Sequence, residues 1–222
     1  MDDVTKAYLK RILISQGTDA YLSAANVVQT NMPLQFLGVD TNTFVEENIR
    51  GPLEKVVAYN KSINNNGFTN LKGRGLLLHG GAGSGKTALA CLVLKNAVLH
   101  GFSGKFVLFE TLANNLLQRD DQFDFDFLVV DGFGDAPNFN QSKLFQWVIG
   151  RLEAFLRERY YKMRPTIITT RLNRMDLLRV FPQGLVSFLE EATSVIDLSH
   201  VSDHRPKLKG KTHARRVSKS TS

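Results

Sequence analysis

Short apolar runs, separated by polar and glycine-rich breaks, divide this chain into alternating strand-like and helix-like pieces. Leu76-Leu77-Leu78, Phe106 to Phe109 and Phe127 to Val130 are continuous apolar runs. Thr166 to Thr170 is a fourth candidate and Val195 to Leu198 a short fifth. Runs of this length bounded by turn residues predict strands buried on both faces. Between them Ala88–Val93, Thr111–Leu117 and Gln141–Tyr161 predict helices. The last is amphipathic, with Leu144, Phe145, Val148, Leu152, Phe155 and Leu156 on one face. Asp176–Val180 and Gln183–Ala192 predict shorter ones. This alternation predicts an α/β fold: a parallel five-stranded sheet with helices on both faces.

Upstream of the first strand the pattern is helical throughout. Val4, Tyr8, Leu9, Ile12 and Leu13 recur near helical spacing, Gly17 ends that segment, and Ala20 to Val28 predicts a second short helix. This N-terminal helical extension either packs on the body or serves as a docking arm for a partner. Thr41 to Asn60 predicts one further helix, broken or kinked at Pro52. Lys61 to Lys72 is polar and turn-rich and predicts a loop. The resulting organisation is an extension over 1–31, an α/β domain over 32–204 and a tail over 205–222.

Composition narrows the class. With 43% hydrophobic and 22% charged residues in a 222-residue chain, the sequence suits one soluble domain with short appendages. No apolar run is long enough for a membrane span, which needs about 18 residues. The N-terminus lacks a signal-peptide core. The lone Cys91 permits no internal disulfide and reads as core packing. These features predict a reducing compartment, cytoplasmic or its nuclear equivalent, and no secretion or membrane association. The net charge of +7 is concentrated at one end: from Asp203 onward, seven Lys/Arg face one Asp. Arg205, Lys207, Lys209, Lys211, Arg215, Arg216 and Lys219 alternate with Gly, Ser, Thr and Pro, so this tail predicts disorder. It either contacts nucleic-acid phosphates without sequence preference or merely solubilises the terminus. No aromatic interleaves its charges, which argues against base stacking.

The chemistry lies in Gly80-Gly81-Ala82-Gly83-Ser84-Gly85-Lys86-Thr87, between a predicted strand and a predicted helix. It fits the phosphate-loop pattern G-x-x-x-x-G-K-[ST] in its required setting. Glycines let backbone N–H groups turn toward phosphate oxygens, and the helix N-terminus favours anions. Lys86 is positioned for the β- and γ-phosphates of ATP, and Thr87 for Mg²⁺. Phe127 to Val130 ends in Asp131, the arrangement that places a Mg²⁺-holding carboxylate beside the loop.

The order of these segments resembles the AAA+ helicase-loader family of DnaC/DnaI type and the transposase-helper ATPase IstB. The resemblance spans about Met32 to Arg205 and rests on MPLQFLGVD, GRGLLLHGGAGSGKTALA, FLVVDGFGD, RPTIITTRLN and LVSFLEEATSVIDLSHVSDHR. It implies a P-loop AAA+ domain that oligomerises and acts on DNA with a helicase- or transposase-class partner. Three positions depart from the family pattern. Gly132 stands where a second acid normally orients water, Arg171 where the sensor strand usually ends in Asn, and Phe188 where the closing helix carries an arginine for the neighbouring subunit. Asp135 is a candidate replacement for the acid, and Arg174 or Arg179 for the finger. Arg171 reads either as a sensor-position group or as a solvated strand-end charge. Arg205, the closing arginine, faces either nucleotide or the domain's own surface. The departures predict retained ATP binding with weak hydrolysis, either in a loader or in a nucleotide-stabilised scaffold. A small-molecule P-loop kinase is disfavoured, because no arginine-rich lid lies between Asp131 and Thr166.

Overall fold

Continuous apolar runs become strands when both faces of a sheet are covered, and five do so here. In the computed structural model, which describes residues 18–66, 71–118, 123–135 and 143–203, the strands are Gly75–His79 (β1), Gly104–Leu108 (β2), Phe127–Asp131 (β3), Thr166–Thr170 (β4) and Thr193–Asp197 (β5). They pair in parallel in the order β2-β3-β4-β1-β5. The helices are Thr18–Gln29 (α1), Arg50–Asn66 (α2), Lys86–Leu99 (α3), Phe109–Gln118 (α4), Lys143–Tyr161 (α5), Arg174–Val180 (α6) and Gln183–Ala192 (α7). The parallel five-stranded sheet with helices on both faces is therefore as the pattern predicts.

Alternation along each strand feeds two cores. Leu76, Leu78, Phe127, Val129 and Ile167 pack with Val27 of α1, Val56 and Ile63 of α2 and Leu89, Val93 and Leu94 of α3. Leu77, Leu128, Val130 and Ile168 pack on the opposite face with Leu112 of α4, Leu152 and Leu156 of α5, and Leu185 and Leu189 of α7. Successive strand side chains point to opposite faces, so an all-apolar strand serves both layers. Just past α1 the chain is also tied to β2: the Phe106 N–H donates to the Thr30 carbonyl at 2.7 Å. Buried Arg159 of α5 ties the second layer to the sheet. It donates to Thr166 Oγ1 and to the carbonyls of Phe123, Phe125, Asp126 and Pro165 at 2.8–3.2 Å. Burial lowers its pKa to about 10, partly offset by the charge of Asp126.

The single helix expected from Thr41 to Asn60 is not there. Short 3-10 turns at Leu34–Phe36, Thr41–Thr43 and Glu47–Ile49 precede a helix that starts at Arg50 and runs on to Asn66, into the expected loop. Asp40 and Thr43 form a reciprocal capping box, with each backbone N–H donating to the other's side-chain oxygen at 3.0 Å. Pro52 breaks nothing, because it sits in the first turn of α2, where an N–H has no helical partner. Phe109 opens α4 instead of ending β2, and β5 begins at Thr193. The first predicted helix, Arg205 and the tail fall outside the described residues. Among the described residues no helix is long and apolar enough to cross a membrane.

Candidate nucleotide site

Strand β1 is buried over Gly75 to Leu78 and delivers the loop Gly80–Gly85 rigidly into the first turn of α3. Gly83 (φ 71°) and Gly85 (φ 91°) adopt left-handed conformations that a side chain disfavours. No side chain caps α3 at Gly85, so the positive end of that helix faces the loop. Lys86 is 8% exposed. Its Nζ donates to the carbonyls of Gly80 and Gly81 at 2.8 and 2.6 Å and to Ser84 Oγ at 3.3 Å. Gly81 and Ala82 form the exposed rim, while Ser84 is buried.

Sheet order brings the second half of the site alongside. Thr87 Oγ1 donates to Asp131 Oδ1 at 2.8 Å. Thr169 Oγ1 of β4 donates to the same oxygen at 2.6 Å and accepts the Gly132 N–H at 3.1 Å. Hydroxyl and carboxylate oxygens are the donors a small hard cation takes. The residues therefore fit a polyphosphate with Mg²⁺: N–H groups and Lys86 for the anion, Thr87 and Asp131 for the cation. The sequence pattern assigns Thr169 no such part; its only signal is its place at the end of the fourth strand.

A cavity of about 830 Å³ opens beside the loop. Gly85, Lys86, Thr87 and Asp131 form its polar end; Phe36, Phe44, Val45 and Ile49 of the lead-in and Leu108 of β2 form its apolar side. Volume and lining are those of a small-molecule site, with apolar walls and few polar groups. Lys95 of α3 pins this lead-in by donating to the Val39 carbonyl at 2.9 Å, and its burial lowers its pKa. The apolar wall is invisible to periodicity because its residues lie in short 3-10 turns without a sustained period.

The departing positions are explained by their surroundings. Gly132 has φ 75°, and a Cβ there would meet only Asp135 atoms at 3.7 and 3.9 Å. Asp135 and Arg171, separate candidates in the sequence, form one ion pair: Arg171 Nε donates to Asp135 Oδ2 at 2.8 Å. Phe188 points inward, 3% exposed, against Tyr160 and beneath the Arg157 guanidinium. It is thus no open position from which a finger could reach a neighbour. Arg174 bonds Glu190 at 2.6 Å and Arg179 bonds Asp176 at 3.0 Å. Cys91 lies in the first core; burial, and then the charge of Asp131, raise its pKa, in keeping with a packing role.

A parallel sheet in this order, with a glycine-rich loop after β1 and a carboxylate at the end of β3, is the α/β fold of P-loop AAA+ type. No family model and no curated protein matches the chain. Among solved structures it is similar to the DnaC helicase loader, at 22% identity and a TM-score of 0.60 over 74% of this chain and 99% of that one. It is also similar to DnaI, at 18% identity and a TM-score of 0.58 over 75% of this chain and 94% of that one. DnaA from Aquifex aeolicus, solved with AMPPCP bound, matches at 16% identity and a TM-score of 0.59 over 83% of this chain. The chain spans 56% of that DnaA and 55% of a DNA replication initiation factor that it also matches. The fold is that of the AAA+ helicase loaders and replication initiators, which agrees with the resemblance carried by the motifs.

Proposed function

We propose that the chain binds ATP with Mg²⁺ at this site and works on DNA as a nucleotide-controlled AAA+ protein, loading or recruiting a helicase- or transposase-class partner and assembling with further copies of itself. The observation that carries this reading is the cluster of Lys86, Thr87 and Asp131 on a sheet of AAA+ order. Lys86 and the loop N–H groups hold the phosphates. Asp131, which accepts hydrogen bonds from Thr87 and Thr169, would hold Mg²⁺ together with Thr87, and the cation would supply charge neutralisation to the triphosphate. The fold similarity to replication proteins supports the DNA-directed part.

Hydrolysis is slow in this proposal. Gly132 offers no carboxylate to orient water, and Asp135 is engaged by Arg171. Ground-state binding and transition-state stabilisation rely on different groups, and only the first set is intact. This favours a second reading, a nucleotide-stabilised scaffold, in which ATP shifts the chain toward an assembled form without turnover. Equilibrium ATP titration tests the first element: Lys86→Ala removes a charged donor and should weaken binding about 10- to 150-fold. Unchanged affinity would remove the loop from the binding site. Steady-state phosphate release with DNA present should stay well below about 1 s⁻¹; faster turnover would exclude the scaffold.

A further inference from the structure

The lead-in over residues 33–49 forms the apolar wall of the cavity, yet its only regular structure is three short 3-10 turns. Such turns carry few bonds of their own, so contacts with the body decide where the wall stands. Leu37 and Val39 are buried in the first core. A charged contact follows them: Lys95 Nζ, from α3, donates to the Val39 carbonyl at 2.9 Å, and the charge of Asp40 favours the protonated form of Lys95. Asp40 in turn joins Thr43 through the capping box, and Phe44 comes next in the chain. Phe44 and Ile49 then reach the glycine-rich loop. A Cβ on Gly85 would stand 2.9 Å from Ile49 Cδ1 and 4.0 Å from Phe44 Cε1. At the far end of the lead-in, His200 Nε2 lies 3.1 Å from the Asn48 carbonyl.

We propose that Lys95 is a positioning residue of the nucleotide site: by holding the Val39 carbonyl it sets the apolar wall against the loop, and so governs affinity for the base and ribose but not for the phosphates. The inference rests on the nucleotide reading above. The loop and Lys86 form the polar end of the cavity, which suits the phosphates. The flat remainder of a nucleotide is left to the side formed by Phe36, Phe44, Val45 and Ile49. Lys95 lies nine residues beyond Lys86, roughly 13 Å along α3, with its ammonium engaged by Val39. At about 0.15 M salt the Debye length is roughly 8 Å, so its charge is felt only weakly at the polar end. Without this donor the wall is held less firmly. A site that is competent for only part of the time binds more weakly in proportion. Loss of one net hydrogen bond should therefore weaken ATP binding about three- to tenfold.

The test is titration of the full chain as wild type, Lys95→Met and Phe44→Ala, with ATP and separately with inorganic tripolyphosphate, each with Mg²⁺ at about 0.15 M salt. Met keeps most of the lysine stem and removes the donor; Phe44→Ala removes part of the wall itself. The wild type should bind ATP more tightly than tripolyphosphate. Both variants should lose ATP affinity while tripolyphosphate affinity stays within about twofold. If Lys95→Met weakens both ligands equally, or neither, the inference is overturned and the loop remains the phosphate site. Unchanged ATP affinity in Phe44→Ala would show that the wall does not meet the nucleotide, and would overturn it too. A wild type that binds neither ligand would overturn the nucleotide reading as well.

Discussion

At Gly132 one backbone angle bears on the proposed slow turnover. Introducing the missing acid as Gly132→Glu meets no crowding, since the nearest atoms are in ordinary contact range, but φ 75° disfavours any L side chain. The substitution should cost about 1–2 kcal/mol of stability. The new carboxylate would also stand near Asp135, so phosphate release should rise little. Urea denaturation and a phosphate-release assay check both parts; unchanged stability with turnover near 1 s⁻¹ would show that the backbone adapts freely. The places of Lys86 and Thr87 were legible in the sequence because a fixed spacing ties them to a loop geometry, and that of Asp131 because an apolar run ends in it. Thr169 was not, because its place beside Asp131 follows from strand order. The ion pair of Asp135 and Arg171 was half legible: both residues stood out, but their partnership depends on β3 and β4 being neighbours.

Among the elements, α5 carries the residue whose loss should be felt most. The buried Arg159 guanidinium is satisfied by neutral oxygens of residues 123–126 and 165–166. Arg159→Met would leave these acceptors buried without donors. It should destabilise the chain by about 3–5 kcal/mol, read from the urea midpoint. A loss under about 1 kcal/mol would mean that water replaces the guanidinium. The ends of β1 and β4 were legible to within a residue because apolar runs there meet turn residues abruptly. The start of α2 was not. Phe44, Val45 and Ile49 mimic a helical period, while the Asp40–Thr43 box closes one turn and the chain begins again at Arg50. Such local bonds outweigh a weak period, and only the cavity shows why apolar residues occupy those turns.

For the whole molecule, charge is distributed so that the folded body and the basic terminus make separable contributions. Deleting residues 207–222 removes Lys207, Lys209, Lys211, Arg215, Arg216 and Lys219 and should weaken DNA binding. It should also flatten the salt dependence, by about 0.7–0.9 in log–log slope for each phosphate that the tail neutralises. An identical slope after truncation would place DNA recognition on the body. The sheet order has a further consequence. β1 carries the phosphate loop, yet its register partners all follow it: Leu76 pairs with Ile167 and Ser194, roughly 90 and 120 residues later, so closing these pairs spans most of the chain. A nascent chain emerging from the ribosome would display the glycine-rich motif long before the strands that hold it in shape. In the nucleotide reading proposed above, capture then becomes a timestamp, marking the moment at which β5 has paired with β1 and the centre of the molecule has closed.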